Sequence, residues 1–274
     1  MTAKMEIKLG VFPNGKRKVL TMSYDDGCND DRRLVEIFNK YGIRGTFHLN
    51  SARSLNDDWC VPANEAAKLY SGHEISCHCA THPNMVECTD EQNIGELIAD
   101  RKTFEPLCGY VIRGMSYPFG RYDDRVIEDA RIAGMVYSRT VKSTEDFGFP
   151  DDFMAWHPTA HHNNEHLFDL LDAFLKDESD EPKLMYIWGH SFEFGRDNNW
   201  DRIERFCESA GGKDNVWYAT NIEIYDYYTN MYRLIISADG TIINNPTGTE
   251  IWFYADGELM SVKAGETVRL GERK

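Results

Sequence analysis

The chain has 274 residues, of which 42% are hydrophobic and 27% charged, as is typical of a folded globular protein. Its 30 basic and 45 acidic residues give a formal net charge of −15 at pH 7. An acidic chain is poorly suited to nucleic acid or anionic membranes, because phosphate binding needs a basic surface. No apolar run reaches the ~18 residues that a membrane span needs. We therefore expect neither nucleic acid nor membrane as a partner.

Cysteine usage and the first residues bear on the cellular compartment. Seven cysteines, an odd number in a chain of this length, fit free thiols in a reducing compartment better than a disulfide scaffold. The opening stretch MTAKMEIKLGVF lacks the apolar core of a signal peptide. We expect a cytoplasmic protein, or a secreted one if the given sequence has been trimmed.

Strand and helix patterns alternate from residue 17 to residue 231. The predicted strands are 17–24, 44–50, 73–78, 111–118, 135–140, 183–190 and 216–220. The predicted helices are 30–41, 62–72, 89–109, 123–134, 164–177, 199–212 and 221–231. Strict alternation implies parallel strands with helical crossovers. We predict an α/β fold, a distorted (β/α)7-8 barrel, with a doubly wound open sheet as the alternative. In both architectures, sites form at the carboxyl ends of the strands.

The pattern changes after residue 231. Short β-branched and aromatic runs are separated by the turn signals Asp239-Gly240, Asn245-Pro246 and Asp256-Gly257. We predict two parts, a barrel over residues 1–231 and a small antiparallel β appendage over residues 232–274.

Two adjacent aspartates, Asp25 and Asp26, follow the first predicted strand in the stretch SYDDG. A strand-ending turn with an incidental pair of acids explains this stretch. A pair of catalytic groups at the carboxyl end of a barrel strand explains it as well.

Two histidines, His78 and His82, follow another predicted strand at a spacing of four residues. Such a pair can bind one metal ion, although two surface histidines would look the same. Together with a carboxylate, the imidazoles suit Zn²⁺, Co²⁺ or Ni²⁺ better than Mg²⁺ or Ca²⁺. In that case Asp26 would be the third ligand and Asp25 the general base.

Two further strand ends carry candidate groups. The turn around Pro118 in SYPFG could leave the Phe119 N–H free to stabilise an oxyanion, or it could be a plain loop with a buried aromatic. His190 ends an apolar strand beside Trp188, where it could be a general acid or a structural histidine.

A histidine-rich stretch, AWHPTAHHNN (155–164), contains His157, His161 and His162. We consider three interpretations: a second metal site, a substrate groove in which Trp156 stacks on a sugar ring, and a solvated loop.

In this order, the motifs resemble those of the polysaccharide deacetylase family, carbohydrate esterase family 4. SYDDG (23–27) stands where the family has T-F-D-D-G, and HCATH (78–82) is similar to H-[ST]-x-x-H. SYPFG (116–120) matches only the second half of R-x-P-[YF]-G, and LMYIWGH (184–190) resembles the family's late strand ending in histidine. The resemblance covers roughly residues 15–225.

The resemblance implies a distorted β/α barrel and one divalent metal, usually zinc, with cobalt or nickel as alternatives. It implies a hydrolase that acts on a C–N bond other than a peptide bond and removes acetyl from an N- or O-acetylated carbohydrate, with metal-bound water attacking the acetyl carbonyl. A cytoplasmic enzyme would meet oligosaccharides or small N-acetyl compounds. The alternatives are a cyclic-amide hydrolase of the allantoinase-like kind and a catalytically impaired carbohydrate-binding relic.

The resemblance also implies roles for particular residues. They are Asp25 as base, His190 as acid, Phe119 as oxyanion donor, and Asp26, His78 and His82 as metal ligands. The candidate substrate contacts are Tyr117, Trp156, His161 and Trp188.

Three positions depart from the family pattern. Ser116 stands where the family has the arginine that orients the catalytic aspartate, and Arg113 and Arg121 are the candidate substitutes. Cys79 stands where a serine or threonine braces the histidine loop. For the fourth motif, an aspartate and a tryptophan, Asp146 with Trp156 is the candidate.

Overall fold

The structure, a computed structural model, describes residues 4–271. Its helices are α1 (Asp31–Tyr41), α2 (Ser51–Asn56), α3 (Ala63–Leu69), α4 (Asp90–Cys108), α5 (Asp124–Ile132), α6 (Leu167–Lys176), α7 (Phe192–Arg196), α8 (Trp200–Ala210) and α9 (Asn221–Met231). Its first strands are β1 (Ile7–Lys8), β2 (Lys18–Asp25), β3 (Gly45–Leu49), β4 (Glu74–Cys77), β5 (Gly114–Ser116), β6 (Tyr137–Arg139) and β7 (Ala160–His161). The later strands are β8 (Lys183–Gly189), β9 (Val216–Tyr218), β10 (Ile235–Ile236), β11 (Ile242–Asn244), β12 (Ile251–Ala255), β13 (Glu258–Val262) and β14 (Thr267–Arg269).

A parallel sheet with the strand order β6-β5-β4-β3-β2-β8-β7 forms the centre of the molecule. All eight residues of β2 are buried, as expected for a parallel strand covered on both faces. Strand β8 pairs along one edge of β2, while β9 and β3 share the other edge. The first strand of the alternating pattern therefore lies in the interior of the sheet, with neighbours along both of its edges.

The segment 156–161 links the two ends of the curled sheet. The Trp156 N–H donates to Ser138 O at 3.0 Å, beside β6, and the Thr159 N–H donates to Tyr186 O at 2.8 Å, in β8. This closure and the antiparallel strands that follow α9 confirm the predicted fold class, a distorted β/α barrel with a small β appendage.

The long elements lie where the sequence pattern predicts them. Helix α4, for example, begins at the predicted capping box, in which Thr89 and Gln92 bond reciprocally to each other's backbone N–H. Four short elements, α2, α7, β1 and β7, were not predicted, because fewer than two turns of helix or two residues of strand give no period to detect.

Two three-stranded antiparallel sheets, β1-β12-β13 and β10-β11-β14, make up the appendage. Strand β1 comes from the start of the chain and pairs with β12, with Ile7 opposite Ala255. Side chains such as Phe12, Tyr227 and Phe253 join one apolar cluster between the appendage and the barrel. The boundary at residue 231 stays a prediction, and residues 1–3 and 272–274 of the two predicted parts lie outside the described residues. Among residues 4–271, no helix is both long and apolar enough to cross a bilayer.

Candidate metal centre and active site

The polar residues singled out by the sequence converge on the carboxyl ends of the parallel strands. Asp25 ends β2 and Ser116 ends β5, while His78 directly follows β4 and His190 directly follows β8. Parallel strands bring these ends to one rim of the barrel, which is where such folds form their sites.

Asp26, His78 and His82 lie together at this rim. One ligand atom from each residue lies within 4.8 Å of the other two. His82 Nε2 is 3.9 Å from Asp26 Oδ1, and the centroids of the two imidazole rings are 4.8 Å apart. The structure thus brings together the three residues predicted as metal ligands.

The ligand loop has an unusual backbone conformation. Asp26, Cys79 and His82 have φ values of 75°, 62° and 58°, in the left-handed region that side chains other than glycine rarely adopt. Each such residue costs of order 1–3 kcal/mol, so the surrounding contacts must hold the loop in place.

Asn50 and Asp100 supply those contacts. Asn50 Nδ2 donates to the carbonyls of His78 and Cys79 at 2.7 and 2.8 Å. Asp100 Oδ2 accepts from the His78 N–H at 3.1 Å, and its other oxygen accepts from the Ser51 N–H at 2.8 Å. The histidine loop is therefore braced from β3 and α4, and the buried Cys79 thiol at the family's serine or threonine position packs against Met85 instead.

The donor set fits a divalent transition metal. His78 Nδ1 lies 2.9 Å from the carbonyl of Ser116, which can only accept, so we assign the ring proton to Nδ1 and the free electron pair to Nε2. Burial and the neighbouring His78 lower the pKa of His82 to about 4, which leaves this imidazole neutral at pH 7. Two imidazoles and one carboxylate are ligands that zinc prefers.

Asp25 is held by two donors inside the barrel. Ser116 Oγ donates to Asp25 Oδ1 at 2.9 Å, and Arg139 Nη2 donates to Asp25 Oδ2. Burial alone would raise the pKa of Asp25, but the Arg139 guanidinium, followed by the imidazoles of His78, His48 and His190, holds it well below its usual range. Asp25 is therefore an oriented anion at ordinary pH.

Arg139 thus supplies the guanidinium that orients Asp25. The expectation that Arg113 or Arg121 takes this role was wrong. Arg113 pairs instead with Asp226 of α9, at 3.1 Å between Nη1 and Oδ1, and Arg121 is exposed. Arg139 ends β6, is fully buried and stacks on Trp188, with Cζ 4.3 Å from the ring centroid. An arginine ending a predicted buried strand was the available signal, because a buried guanidinium needs an internal anion.

His190 stands between two carboxylates. Its Nε2 lies 3.9 Å from Asp25 Oδ2, and its Nδ1 lies 3.6 Å from Glu193 Oε1. Burial alone would lower the pKa of His190, but the contact with Glu193 and the charges of Asp25 and Asp26 outweigh it and raise the pKa above its ordinary value. The protonated form is therefore favoured.

The predicted substrate contacts divide into two pairs. Tyr117 and Trp156 are 1% and 0% exposed, the Tyr117 hydroxyl donates to Met154 O at 2.8 Å, and Trp156 packs against Tyr186. This burial does not support the stacking of either ring on a sugar. His161 is partly exposed and Trp188 lies under Arg139, so these two do belong to the rim.

The remaining predicted residues lie at or outside the rim. Phe119 has a φ of 58°, is 62% exposed, and its ring centroid is 4.5 Å from that of His82, which brings its backbone to the edge of the ligand cluster. Asp146, the fourth-motif candidate, is on an exposed loop where it accepts from the Gly148 N–H. His157 lies 2.6 Å from the Thr140 hydroxyl through Nδ1.

Arg53 and Trp59 also lie at this rim and were not predicted. Arg53 Nη1 is 3.1 Å from Asp26 Oδ1, and its Cζ is 4.7 Å from the Trp59 ring centroid. Trp59 in turn faces Phe192, at 5.5 Å between centroids. Arg53 lies in α2, Trp59 in the segment after it, and Phe192 begins α7. None of these segments carries a motif, so only the folded chain shows that the side chains meet.

Comparison with known proteins agrees with this picture. Residues 13–138 match the profile of the polysaccharide deacetylase family. Chitin deacetylase 1 from Cryptococcus neoformans var. grubii is 30% identical over 111 residues, which are 40% of this chain and 23% of that protein. The chain spans less than half the length of the curated relatives that it matches, 23% and 42%.

Solved structures share the fold. A protein assigned as a polysaccharide deacetylase from Mycobacterium smegmatis superposes with a TM-score of 0.57 at 17% identity, over 80% of this chain and 93% of that one. The Xyl-CE4 domain of a multidomain xylanase from the hindgut metagenome of Trinervitermes trinervoides gives a TM-score of 0.52 at 13% identity, over 78% and 92%. Residues 13–138 and the motifs described above are thus similar to the polysaccharide deacetylase family, and the solved structures share the fold.

Proposed function

We propose that this protein is a metal-dependent deacetylase that hydrolyses the acetyl group of an acetylated carbohydrate. The observation that carries the proposal is the ion pair between Asp25 and Arg139, which lies beside the Asp26–His78–His82 cluster. One carboxylate is thereby left free of the metal ligands and fixed in orientation, as general-base catalysis requires.

Asp26, His78 and His82 would hold the cation. A divalent metal bound there would polarise the acetyl carbonyl and acidify water, which compensates for the weak basicity of a carboxylate with so low a pKa. The low pKa of Asp25 keeps it ready to accept a proton from water over the whole working pH range.

His190 is the proposed general acid. Its Nε2 faces the same space as Asp25 Oδ2, at 3.9 Å, and its raised pKa favours the protonated ring. It would donate its Nε2 proton to the leaving nitrogen or oxygen of the sugar. The Phe119 N–H is the proposed donor to the oxygen of the tetrahedral intermediate.

The rim supports a carbohydrate as the substrate. Phe119 and Trp59 are 62% and 37% exposed, and Phe192 lies against Trp59. Aromatic faces at the mouth of a polar site provide apolar platforms on which sugar rings can stack, while the buried charged groups act on the acetyl group.

The structure gives less support to the two alternative functions, a carbohydrate-binding relic and a cyclic-amide hydrolase. The relic hypothesis rested on the missing third-motif arginine, and Arg139 fills that role from β6. The cyclic-amide hydrolase would be favoured by the absence of a metal, whereas Asp26, His78 and His82 lie close enough together to hold one.

Acetate release tests the proposal. The zinc-loaded protein is incubated with N-acetylchitooligosaccharides, peptidoglycan fragments and acetylated xylan, and acetate is quantified before and after removal of the metal with a chelator. We expect release from at least one substrate, loss of release with the chelator, and recovery with added zinc. Release that is unaffected by complete metal removal, or no release from any acetylated carbohydrate at full zinc occupancy, would overturn it.

We also propose a cytoplasmic setting. All seven cysteines are free thiols, and Cys28, Cys60, Cys77, Cys79 and Cys207 are buried. Titration of the denatured, unreduced protein is expected to find every cysteine as a thiol, whereas fewer thiols would indicate disulfides and an oxidising compartment.

A further inference from the structure

The carboxylate of Glu193, on α7, is surrounded by imidazoles. Glu193 Oε2 lies 3.1 Å from His161 Nε2 and 2.9 Å from His162 Nε2, and Glu193 Oε1 lies 3.6 Å from His190 Nδ1. The side chain is only 13% exposed, with the Arg196 guanidinium at 3.7 Å as the one close permanent cation among the described residues. The imidazoles of His161, His162 and His190 are thus the closest partners of this carboxylate.

The tautomer of His161 follows from its second contact. The Asn163 N–H donates to His161 Nδ1 at 3.1 Å, so Nδ1 carries the electron pair and Nε2 carries the proton. His161 therefore presents its protonated Nε2 to Glu193 Oε2, at 3.1 Å.

His162 is packed rigidly beside the strand that leads to His190. Its ring is fully buried and stacks on Tyr24 at 5.6 Å between centroids. A Cβ on Gly189 would lie 2.0 Å from His162 Nδ1, so only glycine before His190 leaves room for this ring. Burial lowers the pKa of His162 to about 4, so it meets Glu193 as a neutral imidazole.

We propose that Glu193 is a positioning residue for His190, and that the His161–His162 pair holds Glu193 in place. Glu193 Oε1 lies 3.6 Å from His190 Nδ1, while the opposite nitrogen of His190 faces Asp25 across the site. The carboxylate also favours the imidazolium, as an anion next to a histidine does. The acid role of His190 rests on the proposed function, whereas the positioning of its ring does not.

A second metal site is the competing interpretation. His161, His190 and Glu193 each offer one atom within 4.8 Å of the others, a spacing that an ion could use. A ligating His161 Nε2 would have to give up its proton while Nδ1 still accepts from the Asn163 N–H. The hydrogen bond from the Asn163 N–H to His161 Nδ1 therefore favours the positioning role of Glu193 over a metal site.

The charged groups around His190 come from several elements. Glu193 of α7 and Asp25 of β2 face its two nitrogens, and Asp26 adds a further negative charge. Of the cations, Arg139 is paired with Asp25, and Arg196 is paired with Asp197 at 2.7 Å. Replacement of the Glu193 carboxylate therefore changes the electrostatic field at His190 while Arg139 and Arg196 keep their own partners.

The test measures the His190 ring itself. Long-range ¹H–¹⁵N spectra of the zinc-loaded wild type and Glu193→Gln are recorded from pH 5 to 9, and the resonances are assigned with His190→Gln. We expect the His190 midpoint to fall by about 1 pH unit in Glu193→Gln, and to stay within a few tenths of wild type in Glu193→Asp. Glu165→Gln is the matched control, because it removes a carboxylate 3.6 Å from the exposed His166 and should leave His190 unchanged.

Because this readout needs no turnover, it is independent of the proposed function. If the protein does release acetate, Glu193→Gln should lower kcat on the alkaline side while KM changes little. An unchanged His190 midpoint in Glu193→Gln, with native circular dichroism, would overturn the proposal. A second equivalent of tightly bound zinc in the wild type that Glu193→Gln loses would overturn it in favour of the metal site.

Discussion

Arg139 at the end of β6 donates to Asp25 at the end of β2, across the mouth of the barrel and 114 residues apart in the chain. Three strands separate β2 from β6 in the sheet, so the pair spans the barrel interior and does not link neighbours. The two side chains are 0% and 3% exposed. This ion pair defines the orientation of Asp25, and it fills the position that Ser116 leaves open.

Loss of Arg139 should therefore damage both stability and activity. Breaking a buried ion pair by removing one partner costs about 3–5 kcal/mol, because the remaining charge is left uncompensated. We expect Arg139→Gln to lower the free energy of unfolding in urea by several kcal/mol and to reduce kcat far more than it raises KM.

Arg113→Gln is the control for that variant. Its pair with Asp226 is about one-third exposed, and exposed pairs contribute about 0–1 kcal/mol. Acetate release and stability close to wild type are expected. If Arg113→Gln proved as harmful as Arg139→Gln, the assignment of the motif-three arginine to β6 would be contradicted.

The ligand set predicts which variants lose zinc. His82→Gln and Asp26→Asn each remove one of three ligands and should weaken zinc binding by orders of magnitude. His162→Gln alters a histidine outside the set and should bind zinc as the wild type does. Metal content after dialysis against a weak chelator checks this, and retention of zinc by both ligand variants would argue against the cluster.

The brace of the histidine loop should appear in metal affinity. Asn50→Ala removes the two hydrogen bonds to the carbonyls of His78 and Cys79. Partners of this kind typically change metal affinity by about 10–100-fold. Competition with a zinc indicator should show that loss, while Asn56→Ala, which removes an exposed bond to Ala52 O, should show none. Equal affinities for the two variants would mean that the loop is held by other contacts.

Buried His48 predicts a pH-dependent difference in stability. The pKa of His48 is lowered from 6.5 to about 3, chiefly by burial. Between these two pH values, the unfolded chain binds a proton at His48 that the folded chain does not bind. The stability contribution of neutral His48 is complete above pH 6.5 and falls as the pH drops towards 3. From pH 7.5 to 5.5 this loss amounts to about 1.4 kcal/mol.

His48→Gln lacks that titration. Urea unfolding of metal-free wild type and variant should therefore show the stability gap narrowing by about 1.4 kcal/mol between pH 7.5 and 5.5. Other buried groups titrate in both proteins, so the difference isolates His48. A gap that stays constant with pH would show that His48 titrates normally in the folded state.

The sequence predicts the barrel and the metal ligands because their signals are local. Helix α4 begins at a capping box and helix α8 has an apolar period, while Asp26 and His78 directly follow apolar strands and His82 comes four residues after His78. Arg139 was missed for the opposite reason: its partner is on a strand across the barrel, and no spacing along the chain reports on that distance. Trp156 was misplaced because its burial depends on the closure of the sheet by the segment 156–161.

The role of Glu193 could not be predicted from the sequence either, for a third reason. Glu193 follows His190 by three residues in the sequence. A carboxylate in a short helix nevertheless has no sequence pattern that distinguishes it from a surface acid. Only the fold reveals its surroundings, because β7 and the residue after it place His161 and His162 beside Glu193 Oε2.

In the proposed mechanism, Asp25 acts on water as a fixed anion beside the metal ligands without binding the metal itself. Its most direct test is acetate release by wild type and Asp25→Asn at matched, measured zinc occupancy. We expect Asp25→Asn to bind about one equivalent of zinc, as the wild type does, and to lose nearly all release of acetate. Substantial acetate release by the zinc-loaded Asp25→Asn variant would contradict it.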